Sequence, residues 1–139
     1  MPLIAAMGGN VGTQSSTLCV RGLATGHLAL KDWRRVTKRE CLAGLYMGLG
    51  YGLFVGGLTG VVFYSKFGVA FPAVVALGVL ISMVVASTLG AFQPFLLTRL
   101  RLDPAVAVGP LVSTLTDLLS VTAYLSLAAL ALSMGLLVR

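Results

Sequence analysis

Asp117 is the one acidic residue that falls deep inside a long apolar run of this 139-residue chain. Ser113 and Thr114 precede it by four and three residues, and Ser120 and Tyr124 follow by three and seven. In a helix, that spacing gathers oxygen donors on the carboxylate's own face. An ionised carboxylate at bilayer depth costs about 3 kcal/mol even on a lenient insertion scale, so it must face water, a cation or a basic partner. No Lys or Arg of the chain sits at matching depth. A second polar set lies near the start, where Asn10, Thr13, Gln14 and Thr17 follow the i, i+3, i+4, i+7 rule. Amides and hydroxyls cannot hydrogen-bond to lipid tails, so this face requires other helices, ions or water.

Hard oxygen donors with no His, Cys or Met constellation suit a hard cation such as Mg²⁺, Ca²⁺ or an alkali ion. Mg²⁺ keeps several of its waters, so one carboxylate with neutral amides, hydroxyls and carbonyls around the hydration shell can hold it. Asp117, Thr114, Ser113, Asn10 and Thr13 offer such a set. On a two-fold axis Asp117 would be supplied twice, matching a divalent charge. Two uses of Asp117 stay open on the residues alone. It hydrogen-bonds to Asn10 or Gln14 across a helix seam, or it stands in a cation or proton pathway.

The elements that carry these residues are membrane helices. The chain is 58% hydrophobic and 10% charged, with a mean hydropathy of +0.99, too apolar for a soluble domain. Its 17 glycines suit close-packed helices and not a barrel of short alternating segments. No cleavable leader is expected, because the first apolar run already holds the polar face. The expected architecture is all-α and integral to the membrane, one domain over 1–139. Four spans lie at about 2–24, 41–64, 69–97 and 104–137, with an interfacial segment at about 28–37.

That segment, with Leu28, Leu30, Trp33 and Val36 on one side and Lys and Arg on the other, reads as an interfacial helix or a charged loop. Gly8 and Gly9 permit close backbone approach or a local opening of the helix. Gly44, Gly48, Gly52, Gly56 and Gly60 recur every fourth residue, a small-residue stripe that admits another helix from this chain or a second copy. Ser65 to Gly68 predicts a tight turn, Gln93-Pro94 a kink, and Asp103-Pro104 a helix start. Cys19 and Cys41 lack metal-ligand spacing and read as small packing residues. His27 has no ligand partner and reads as an interface residue.

Charge sets the orientation. Arg21, Lys31, Arg34, Arg35, Lys38, Arg39, Arg99 and Arg101 fall on one side of a four-span layout, and Lys66 and Arg139 on the other. The first side is cytoplasmic by the positive-inside rule, which leaves both termini outside and points to something upstream. The same flanking pattern explains the net charge of +6 without nucleic acid. Catalysis is not expected, since no nucleophile and base, cofactor loop or metal cluster is apparent.

PLIAAMGGNVGTQSSTLCVRGLATG, then DWRRVTKRE, then LDPAVAVGPLVSTLTDLLS resemble, in order, the membrane domain of the MgtE-type magnesium transporters and channels. The resemblance implies a homodimeric Mg²⁺ channel of the cell membrane, lined by the first and last helices. Mn²⁺, Co²⁺ or Ni²⁺ are further possible cargo, and passage is passive. It implies Asp117 as the selectivity residue, Asn10 as the pore asparagine, and Ser113 and Ala6 as donors of backbone carbonyls. Gly109 stands where some members carry asparagine, so that contact is missing. Against typical members, the resemblance leaves the soluble Mg²⁺-sensing region and the first membrane helix without a counterpart in this sequence, which is then expected to be a fragment, a trimmed form or a minimal relative. A second function of another class also fits, a non-conducting assembly module that dimerises through the glycine stripe or completes a partner chain. A proton-coupled exchanger fits less well, for want of a His or Lys relay.

Overall fold

The computed structural model describes residues 2–107 and 109–135, and all of its regular structure is helical. Helix α1 spans Pro2–Ala24, α2 Trp33–Phe67, α3 Ala70–Arg99, α4 Pro104–Ala107 and α5 Pro110–Ser133, with a 3-10 turn at Leu30–Asp32 before α2. Three of the segments, Leu30–Phe67, Ala70–Arg99 and Pro110–Ser133, are long and apolar enough to cross a membrane. At 1.5 Å per residue the 23-residue α1 is about 35 Å long, also enough for a hydrocarbon core of about 30 Å. Its polar run keeps it out of that apolar set.

The spans depart from the expected boundaries in three places, each for a local reason. RRVTKREC contains neither Gly nor Pro, so nothing stops a helix there. The region expected as a separate interfacial element is instead the 3-10 turn and the first two turns of α2, continuous with the span through Phe67. At 35 residues α2 is roughly 52 Å long, so one end must project beyond the hydrocarbon. The tight turn is shorter than expected. Gly68 takes φ +63° and donates its N–H to the Tyr64 carbonyl at 2.9 Å, and α3 begins two residues later.

The last span is divided. Asp103 does cap the start, accepting the Ala105 N–H at 2.8 Å, but α4 lasts only four residues before Gly109, at φ +107°, turns the chain into Pro110. A residue ahead of proline is steered away from the α region, and glycine alone reaches this φ cheaply. Residues 136 and 137 of the expected span, and Arg139, lie outside the described residues.

α3 is the central element, packed by α1, α2 and α5. Its buried residues, among them Val75, Val79, Met83, Ala86 and Phe95, form the middle of the core. Pro94 is buried within α3 without ending it, and Thr98 donates its hydroxyl to the Pro94 carbonyl at 2.8 Å. The glycine stripe of α2 meets α3 of the same chain. A Cβ on Gly48 would lie 3.0 Å from the Leu80 backbone, one on Gly52 2.7 Å from the Ala76 carbonyl oxygen, and one on Gly56 2.7 Å from the Ala76 Cβ. The stripe is therefore closed within the protomer and is not open for dimerisation.

Many of the basic residues gather at one end of the bundle. Val20 and Leu23 of α1 share a cleft with Thr98 and Asp103, and Leu30 and Trp33 share one with Phe92 and Arg99. The ends of α1 and α3 and the start of α2, with their Arg and Lys, therefore lie together. Lys66 lies at the other end, next to an aromatic cluster in which Phe67 and Phe71 stand 5.1 Å apart and Phe63 and Phe71 5.8 Å. At the basic end Trp33 meets Phe92 edge-on at 5.7 Å. Phe71 and Phe92 are 21 residues apart on α3, about 31 Å along its axis, the spacing of two interfacial aromatic belts. Cys19 packs with Ala91 and Phe95, and both cysteines are free. His27 is exposed and pairs with the Thr25 hydroxyl at 2.9 Å.

Candidate ion-binding site

α1 brings its glycines to α3 and α5. A Cβ on Gly8 would stand 2.7 Å from Ser120 Oγ and 2.9 Å from Ser82 Oγ, and one on Gly12 2.7 Å from the Thr116 methyl and 3.2 Å from the Ala86 carbonyl. α1 is helical throughout, so its glycines serve close approach and not an opening. Gly9 makes the contact that matters most. A Cβ there would lie 2.6 Å from Asp117 Oδ1, so the carboxylate rests directly on the α1 backbone.

Asp117 is half-buried, and its Oδ1 is shielded from solvent without a hydrogen-bond donor among the described residues. It is not bonded to Asn10 or Gln14. Among the described residues the single ion pair, Arg35 with Asp32 at 3.2 Å, lies at the basic end. A buried carboxylate oxygen without donor or cation is an expensive arrangement in any low-dielectric setting. It marks a place where a positive charge or an ordered water is wanted.

Three of the neighbouring hydroxyls are committed to backbone, whereas Ser120 Oγ is buried without a partner among the described residues. Ser113 donates to the Gly109 carbonyl at 2.7 Å, Thr13 to the Gly9 carbonyl at 2.8 Å, and Thr116 to the Val112 carbonyl at 2.8 Å. Each still has lone pairs to offer an ion or its waters. Thr13 and Asp117 thus converge on Gly9 from two helices. Asn10, Ala6 and Thr114 are exposed. Gln14 and Thr17 are exposed with Asn10, so much of the polar face of α1 is open, with Gln14 at the rim of a cleft shared with Ala43 and Met47 of α2. No group of three His, Cys, Asp or Glu residues gathers among the described residues.

The opposite face of α1 is polar as well, and sequence reasoning missed it. Ser15 and Ser16 are buried, and Ser15 donates to Glu40 Oε2 at 2.7 Å. Gln93 of α3 is also buried, with its Oε1 unpartnered among the described residues. Serines at i+5 and i+6 from Asn10 fall off its stripe, which was the available signal. The pairing with Glu40 spans 25 residues and has none.

The fold is that of a multi-helix membrane protein with a donor-poor carboxylate pressed against a glycine backbone. The chain belongs to the MgtE family: the family model described as a divalent cation transporter matches residues 1–127. It is 42% identical over 132 residues to the magnesium transporter MgtE of Thermus thermophilus, covering 95% of this chain and 28% of that protein. It is 36% identical to that of Enterococcus faecalis and 30% identical to that of Bacillus subtilis, each over 128 residues, 92% of this chain and 28% of the relative. The chain thus spans 28% of the length of the curated relatives it matches. It is a multi-pass protein of the cell membrane.

Proposed function

We propose that this chain forms the membrane pathway of a Mg²⁺ channel, with Asp117 as its cation site. The observation that carries the reading is the buried, donor-free Oδ1 of Asp117 against Gly9. α1 serves as the fourth span, and the start of α2 lies at the cytoplasmic interface with the basic end of the bundle. Asn10, Gln14 and Thr17 face outward from a lone chain, where lipid offers them no hydrogen bonds. A second copy related by a two-fold axis would cover that face and bring two carboxylates to a hydrated ion. Asn10, Thr13, Ser113 and Thr114 then meet its waters, and Ala6 offers a carbonyl. Mn²⁺, Co²⁺ and Ni²⁺ share the charge and would compete to the extent that the site reads charge over hydration.

Mg²⁺ uptake into liposomes holding the purified chain and an internal Mg²⁺ dye tests the reading. Uptake above protein-free liposomes is expected. Asn10→Ala should lower it roughly fivefold, on the scale of one polar contact of about 1 kcal/mol. Equal uptake by wild type and Asn10→Ala would remove Asn10 from the pathway, and none above protein-free liposomes from folded protein would overturn the reading.

A further inference from the structure

At the basic end, the start of α2 and the end of α3 enclose a cleft of about 400 Å³ lined by Leu30, Lys31, Trp33, Phe92, Phe95, Leu96 and Arg99. Its wall is apolar and aromatic. Its two polar side chains are both cations, exposed and without an ion pair among the described residues. Asp32, next to Lys31 in the chain, is engaged by Arg35 and by the Ala29 N–H at 3.0 Å. Trp33 is 36% exposed at the cleft, and Arg34 lies over its ring at 5.2 Å, adding a third positive charge nearby.

We propose that this cleft binds an anionic phospholipid, its phosphate shared by Lys31 and Arg99 and an acyl chain laid against Trp33, Phe92 and Leu96. Charge complementarity selects this occupant. A soluble anion would leave the apolar wall wet, and a zwitterionic lipid would set its own cation beside Lys31 and Arg99. The level in the membrane agrees, because the cleft lies at the aromatic belt of the basic end, about 31 Å along α3 from the belt at Phe71. The inference rests on membrane insertion and on no property of the ion pathway.

Trp33 is the only tryptophan of the chain, so its emission reports on this cleft alone. The full chain is placed in phosphatidylcholine bilayers, and brominated-acyl phosphatidylglycerol or brominated phosphatidylcholine is introduced at matched mole fractions. Half-quenching by the anionic lipid is expected at a roughly 25-fold lower mole fraction, each of the two cations near an anionic headgroup being worth about a factor of five. Lys31→Gln with Arg99→Gln should bring the two lipids within about twofold, and Lys66→Gln at the far end should leave the preference intact. Equal quenching by both lipids in wild type would overturn the proposal and leave an unselective groove. A preference that survives the double substitution would overturn it in favour of the general charge of this face. Absence of quenching by either lipid would mean that protein covers the cleft, and reversal by excess inorganic phosphate that a soluble anion is its ligand.

Discussion

Replacing Asp117 by asparagine should lower Mg²⁺ uptake into proteoliposomes by on the order of 100-fold while leaving the protein folded. Asparagine keeps the shape and one oxygen acceptor and removes the charge. A doubly charged ion about 5 Å from a carboxylate, with a water between them, gains about 1.7 kcal/mol even at the dielectric of water. Two copies on an axis double that figure, and each 1.4 kcal/mol is tenfold. A lower local dielectric enlarges the loss. The fold should persist, because Asp117 Oδ1 has no donor among the described residues whose bond the change would break. Circular dichroism and gel filtration of the same preparation separate loss of transport from loss of fold.

The second large effect is on assembly. A Cβ on Gly90 would collide with the Gly12 carbonyl oxygen and lie 2.8 Å from its carbon and 2.9 Å from its Cα. These are backbone atoms of another helix, with no rotamer to give way. Gly90→Val should therefore push α1 from α3 and carry the Asp117 contact with it, at the upper end of the roughly 1–3 kcal/mol typical of overpacking. Thermal unfolding followed by circular dichroism should show the lost stability, and gel filtration the aggregation. Gly57→Ala is the counterpart. Nothing lies within 4 Å of a Cβ there, and alanine is favoured over glycine by up to about 1 kcal/mol inside a helix. The first glycine substitution should destabilise the bundle, and the second should be neutral or stabilising.

Helix identities, the glycine stripe and the Asp103 cap were legible because they follow from spacing and local chemistry. The division at Gly109 and the unbroken α2 were not, since the apolar pattern runs across the first and the charged pattern hides the second. Asp117 stood out by type and depth, and its contact with Gly9 could not, because helix register between α1 and α5 is tertiary. Ser15 and Ser16 show the same limit. Periodicity drew Asn10, Gln14 and Thr17 onto one stripe, and packing placed the remaining hydroxyls on the other side to meet Glu40 and the core.

The most direct test of Asp117 as a cation site is the anomalous scattering of Mn²⁺ in crystals of the chain, beside Asp117→Asn crystals from the same solution. A peak is expected within about one water layer, roughly 4–5 Å, of two Asp117 carboxylates, displaced by excess Mg²⁺ and lost in the variant. Peaks confined to other acidic residues, with none at Asp117, would contradict it.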